Sequence, residues 1–138
     1  MEKIITLAKP TRFMKIAIQS LFAVACVMGA ASVLVAAMAA HMGADWTPEA
    51  SRAVQSAIQF HQIHALALLV VAWMAMGSRA SKFHLLSGLL FLAGLLMFSV
   101  NIELRHLAGV DQFRAATPYG GMALVAGWLS LLGCLRFK

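Results

Sequence analysis

The sequence predicts an all-α integral membrane protein, a four-helix antiparallel bundle with both termini on the cytoplasmic side. Hydrophobic residues make up 62% of the 138 residues and charged residues only 12%, and the apolar residues fall into four long segments. A soluble domain usually carries about 25% charged and 45–50% apolar residues. Each spanning helix needs about 20 apolar residues. We therefore expect one transmembrane domain, residues 1–138, with four spans.

The first predicted helix covers about residues 14–41 and contains an apolar stretch from Ile16 to Ala40. At 1.5 Å per residue this stretch is roughly 36 Å long, which is enough for a tilted helix to cross a bilayer. The apolar region of a signal peptide has only about 7–15 residues. The stretch is therefore predicted to be a transmembrane helix.

The second predicted helix, about residues 48–77, starts with a capping signal. Thr47 supplies an N-cap side chain, Pro48 suits the first helical position, and Glu49 places an acid at the positive end of the helix dipole. The first third of this helix is amphipathic, so we expect it to extend out of the membrane. Its polar stripe consists of Arg52, Gln55, Gln59 and Gln62.

The remaining two helices are predicted over about residues 83–106 and 118–136. The fourth begins with Thr117 and Pro118, which repeat the cap-and-proline signal of the second helix. It is the shortest of the four spans. Both connections that flank the third helix are short, as expected for antiparallel neighbours.

The basic residues predict the orientation in the membrane. Eight of the eleven Lys and Arg residues fall on one predicted side, in the N-terminal segment, the second connection and the C-terminal tail, and three fall on the other side. By the positive-inside rule both termini are cytoplasmic, and the protein belongs in a bacterial inner membrane. The net charge of +6 is explained by this asymmetry. Nucleic acid is not expected as a partner, because no helix has a basic face with interleaved aromatic residues.

Small residues predict where helices approach closely. Membrane helices associate through small side chains at their contacts, and the first and fourth predicted helices hold most of them. We therefore predict that these two helices are the tightly packed ones. The proposed packing residues are Ala25, Gly29, Ser32, Ala36 and Ala40 on the first helix, and Gly120, Gly121 and Gly127 on the fourth.

Four histidines on the predicted outer side are the candidate binding residues: His41, His61, His64 and His106. Imidazoles from two helices could bind a metal or haem, and Met38 and Met42 beside His41 would suit copper(I). The alternative is structural hydrogen bonding, which buried polar groups usually have. Candidate partners are Gln59 and Gln62 for His41 or His106, and Asn101 for His61 or His64. His84 is expected at the membrane interface.

The sequence contains no signal for catalysis. No charged residue lies at the middle of a predicted span, although proton-coupled transporters usually have one there. No phosphate-binding loop, zinc-protease motif or nucleophile elbow is present. The prediction is a protein that is not an enzyme.

Several segments resemble a known family in the same order along the chain. They are Ala39-Ala40-His41, AIQFHQIHALALL (57–69), FLAGLLMFS (91–99), TPYGG (117–121) and AGW (126–128). Together they resemble the bacterial inner-membrane family called domain of unknown function 423, whose eukaryotic relatives resemble transmembrane protein 256 of mitochondria. The resemblance covers about residues 17–135 and implies a fold and a location, but no reaction. The chain departs from the family at residues 100–103 and at His61, whereas His41 and His64 match it.

The leading functional hypothesis is a non-catalytic accessory or assembly subunit of a larger membrane complex, with a respiratory complex as the expected host. Its partners would be the lipid bilayer and other membrane subunits, and no cofactor is required. The alternative is a protein that binds haem, copper or quinone near the outer leaflet through His41 and His64, together with His61 or His106. A small transporter that acts as an oligomer is third.

Overall fold

The computed structural model describes residues 11–77 and 81–135 and, within these ranges, the chain is helical and contains no strand. Its helices are α1 (Arg12–Met42), α2 (Pro48–Met76), α3 (Lys82–Gly94), α4 (Asn101–Ala108) and α5 (Thr117–Ser130). A π-helical turn, Leu95–Val100, joins α3 and α4 into one continuous helix. Short 3-10 turns extend α1 over Gly43–Asp45 and flank α5 over Arg114–Ala116 and Leu131–Cys134.

Four of these helical stretches are long and apolar enough to cross a membrane. They are Arg12–Asp45, Pro48–Met76, Lys82–Ala108 and Arg114–Cys134, called here the first to fourth spans. This confirms the predicted all-α fold with four membrane-spanning helices. The π-helical turn within the third span was not predicted.

The starts of α2 and α5 differ although their sequences are similar. Thr47 Oγ1 accepts a hydrogen bond from the Ala50 amide at 3.2 Å, the expected geometry of an N-cap. Thr117 has helical backbone angles, and its hydroxyl does not cap the helix. This corrects the capping prediction for Thr117. The preceding 3-10 turn continues directly into α5, so the chain needs no capping side chain there, while Pro118 still occupies the first turn.

The first span packs mainly on the second, and the fourth on the third. The two helices that were predicted to be tightly packed therefore each pack on a neighbour in sequence and not mainly on each other. Consecutive helices joined by short connections become neighbours. The small residues of each helix therefore pack against the helix that is next to it in sequence. Ala25 and Ser32 are buried and Ala36 is half-buried, whereas a Cβ on Gly29 would meet nothing within 4 Å and Ala40 is exposed.

Two of the glycines of α5, Gly120 and Gly127, are required by close approach to the third span. A Cβ on Gly120 would lie 2.6 Å from the Phe98 backbone nitrogen, and one on Gly127 would lie 2.6 Å from the Phe91 ring. Gly121 is less crowded, because its Cβ would be 3.8 Å from the Phe98 ring. The core of the bundle is centred on the third span, where Phe91 and Leu95 are fully buried with Leu68 of α2.

Candidate functional site

A histidine and a glutamate form a buried pair between α2 and α4. His61 Nδ1 lies 2.9 Å from Oε1 and 3.0 Å from Oε2 of Glu103. His61 is 1% exposed and Glu103 is 3% exposed. Arg105, the cation nearest to Glu103 in sequence, instead forms a salt bridge of 3.0 Å with Asp111. An isolated buried charge is costly, so these two side chains depend on each other.

Two buried side-chain polar atoms have no hydrogen-bond partner among residues 11–77 and 81–135. They are His61 Nε2 and Ser99 Oγ. Ser99 belongs to the π-helical turn and precedes Glu103 by four residues, so both side chains lie on neighbouring parts of one helix face. π-helical turns occur frequently at functional sites. The polar atoms, the ionisable pair and the π-helical turn together define the candidate site.

His64 makes a different set of contacts one turn further along α2. Its Nδ1 lies 2.8 Å from the Phe60 carbonyl oxygen, and its Nε2 accepts a hydrogen bond of 3.1 Å from Trp128 Nε1. Because a carbonyl oxygen only accepts, the proton is on Nδ1 and the ring is neutral. Both nitrogens are therefore engaged, and His64 connects α2 to α5.

An aromatic cavity of about 300 Å³ lies beside His64. Phe60 stacks on the His64 ring with 5.7 Å between centroids, and Trp128 approaches it edge-on at 6.0 Å. Phe98 closes another side of the cavity. These contacts surround the His64 imidazole with apolar rings and leave both of its hydrogen bonds within the protein.

The four predicted binding histidines are not gathered into one site. His41 is exposed at the end of α1, and His106 is half-buried with its ring centroid 6.3 Å from that of Trp46. In the described part of the chain, no three His, Cys, Asp or Glu side chains are placed to hold a metal ion. Haem, copper or quinone binding by His41, His61, His64 and His106 stays a prediction.

The structure corrects one expected partner of the histidines. Asn101 does not bind His61 or His64; its amide nitrogen lies 2.6 Å from the Phe113 carbonyl oxygen and 3.0 Å from Thr117 Oγ1. Asn101 thus connects the third span to the start of the fourth. The partner of His61 is Glu103, which the sequence did not indicate as a partner of any histidine.

His84 is buried and caps a helix. Its Nδ1 accepts a hydrogen bond of 3.2 Å from the Ser81 amide, while Ser81 Oγ accepts one from the Phe83 amide. This reciprocal arrangement is a capping box. The sequence feature that could have indicated this cap is Ser81, which precedes His84 by three residues at the start of an apolar run.

Four apolar spans that enclose a buried polar site define a small multi-pass membrane protein. The chain belongs to the family described as "Protein of unknown function (DUF423)", which matches residues 35–121. All residues of the candidate site lie within this match. The relationship confirms the resemblance that the sequence motifs indicated.

Relatives with similar sequences are also membrane proteins. The chain is 33% identical over 86 residues to UPF0382 inner membrane protein YgdD of Escherichia coli (strain K12), a match that covers 62% of this chain and 65% of YgdD. It is 31% identical over 75 residues to UPF0382 membrane protein YwdK of Bacillus subtilis (strain 168), which covers 54% of this chain and 61% of YwdK. The chain thus spans less than two thirds of the length of these relatives. No solved structure matches it. The relatives and the four spans identify a multi-pass inner-membrane protein.

Proposed function

We propose that this protein is a non-catalytic accessory subunit of a larger membrane complex, with a respiratory complex as the expected host. The observation that carries the proposal is the exposure of Gln59 and Gln62 on α2. Measured along the helix from Met76, they lie roughly 26 Å and 21 Å away, and the hydrocarbon core is about 30 Å thick. Taking Met76 as the inner boundary of the hydrocarbon core, we infer that the two exposed amide side chains lie at the depth of lipid tails and that less of α2 leaves the membrane than its amphipathic pattern predicts.

A neighbouring protein explains these glutamines better than lipid does. Lipid tails offer no hydrogen bonds, and an unpaired amide in an apolar medium is costly. Polar side chains of membrane helices form hydrogen bonds with adjacent helices. Gln59 also lines a groove between α1 and α2, whose α1 wall consists of small residues such as Ala36 and Ala40. Small residues allow another helix to approach closely, so this α1–α2 groove suits a transmembrane helix of a partner subunit.

Replacing both Gln59 and Gln62 with leucine is expected to reduce partner recovery roughly tenfold. An interhelical hydrogen bond in a membrane contributes about 0.6 kcal/mol on average and up to about 1.7, and 1.4 kcal/mol corresponds to a factor of ten. The measurement is affinity purification of the tagged full chain from the native membrane in mild detergent, with quantification of the co-purified subunits.

The matched control is the double variant Ile63→Leu and Leu66→Ile, which changes two exposed apolar residues of the same helix and should retain the partner. If the glutamine variant retains the same partners in the same amounts, the α1–α2 groove is not the docking surface. A simultaneous rise in its melting temperature would show that the glutamines face lipid.

We further propose that both termini are cytoplasmic, supported by the eight basic residues on one side of the spans. Green fluorescent protein fused after Lys138 is expected to fluoresce, and alkaline phosphatase inserted after Asp111 is expected to be active, since each reporter works on one side of the membrane only. The reversed pair of results would contradict this orientation.

A further inference from the structure

A groove of about 590 Å³ lies between α2 and the fourth span and shares no lining residue with the α1–α2 groove. Its walls, which include Leu66 and Val70 of α2 and Leu131 of the fourth span, are almost entirely apolar. We propose that this α2–α5 groove binds an acyl chain of an anionic phospholipid, whose head group lies beside His84 and Lys82. This inference does not depend on the proposed subunit role.

The length of the groove matches one leaflet of a bilayer. Its lining residues on α2 run from Ile63 to Met74, two residues before the helix ends at Met76. Eleven residues of α-helix are roughly 16 Å long, and half of the hydrocarbon core is about 15 Å thick. The groove therefore extends from the membrane boundary to about the midplane, which is the distance that one acyl chain of a phospholipid covers.

His84 lines the groove at the boundary end and supplies a hydrogen-bond donor. It is the third residue of α3 and is 5% exposed. Its Nδ1 accepts from the Ser81 amide at 3.2 Å. A ring nitrogen that accepts carries no hydrogen, so the hydrogen of the neutral ring is on Nε2. The phosphate and ester carbonyl oxygens of a phospholipid only accept, and Nε2–H is the donor that His84 offers them.

Positive charge lies at the same end of the groove. Lys82 Nζ is 5.6 Å from the centre of the Phe83 ring, and this ring packs against Gly133, whose added Cβ would lie 2.5 Å from it. The ammonium group is therefore held next to the turn Leu131–Cys134, which contributes to the groove wall. Arg136 follows the last lining residue in the sequence. Basic pockets between transmembrane helices bind anionic head groups, so the charge favours an anionic lipid over a zwitterionic one.

The first test is quenching of Trp128 fluorescence by phospholipids that carry bromine atoms in the middle of an acyl chain. The full chain with Trp46→Phe and Trp73→Phe, which retains Trp128 in the groove wall, is reconstituted into phosphatidylcholine vesicles. We expect brominated phosphatidylglycerol to quench Trp128 more strongly than the same fraction of brominated phosphatidylcholine. Equal quenching by the two lipids, as for ordinary surrounding lipid, or no quenching by either would overturn the proposal.

Trp73 provides the matched control for this measurement. It is 68% exposed on α2 and does not line the groove. In the full chain with Trp46→Phe and Trp128→Phe, the two brominated lipids should quench Trp73 equally. A preference for phosphatidylglycerol that is as large at Trp73 as at Trp128 would show a general attraction of anionic lipid to the basic chain, and would also overturn the proposal.

The second test removes the charge at the end of the groove. Lys82→Gln is expected to lower the relative affinity for phosphatidylglycerol, obtained from the Trp128 quenching curves, about fivefold, the usual effect of one basic residue near an anionic surface. Lys15→Gln is the matched control, since Lys15 is exposed at the same end of the bundle on α1, outside the groove. An unchanged affinity for Lys82→Gln, or an equal loss for both variants, would contradict the proposed head-group position.

Discussion

Replacing Glu103 with alanine is expected to lower the free energy of unfolding by about 3–5 kcal/mol, the usual cost of removing one partner of a buried ion pair. Glu103 accepts from His61 Nδ1 at 2.9 Å, and both side chains are almost fully buried. Without the carboxylate, the imidazole is left in the interior with neither ring nitrogen paired. Equilibrium unfolding of the purified chain in mixed micelles measures the change.

Two control variants separate this effect from a general sensitivity of the region. Arg105→Ala removes one member of the more exposed salt bridge with Asp111 and should cost less than about 1 kcal/mol. The double variant His61→Leu and Glu103→Met replaces the whole pair with apolar side chains, which is often close to neutral. A double variant that loses as much stability as the sum of its single changes would show that the two residues are not coupled.

Gly120→Ala is expected to destabilise the bundle by about 1–3 kcal/mol or more, the typical cost of overpacking. The added Cβ would lie 2.6 Å from the Phe98 nitrogen and 2.7 Å from the Met97 carbonyl carbon. Both are backbone atoms, so no side-chain rotation relieves the contact and the third and fourth spans must separate. The melting temperature in detergent should fall clearly below that of the wild type.

The adjacent glycine provides the control for this prediction. Gly121→Ala places its Cβ 3.8 Å from the Phe98 ring, an ordinary contact, and Gly29→Ala places one in open space on α1. Alanine favours a helix over glycine by up to about 1 kcal/mol, so neither control should be less stable than the wild type. If the Gly120→Ala and Gly121→Ala variants melt at the same temperature, the third and fourth spans do not approach each other closely at Gly120.

Only part of the candidate site could be predicted from the sequence. The polar stripe of α2 was predicted from helical periodicity, and Gln55, Gln59 and Gln62 are exposed. His61, which is not part of this stripe, is buried. The partner of His61 could not be predicted, because the face that Glu103 presents depends on the π-helical turn. That turn has no signature in the apolar run Leu95–Val100.

The helix pairings show the same limit. Small residues on the first and fourth helices indicated close packing, but a small residue indicates only that another part of the protein packs closely against it. It does not indicate which helix does so. Gly120 and Gly127 accommodate the third span, and Gly29 has no neighbour within 4 Å of its Cβ position.

The sequence by itself determined the class of this protein: four apolar segments of spanning length. The number and length of these segments follow from the length that a span requires, and their apolar composition follows from the cost of polar groups in lipid. Both requirements can be read residue by residue along the chain. Only the tertiary structure decided which helices pair, and that His61 meets Glu103 while His64 meets Trp128. Those contacts depend on helix rotation and on one extra residue in a π-helical turn, and packing between spans determines both.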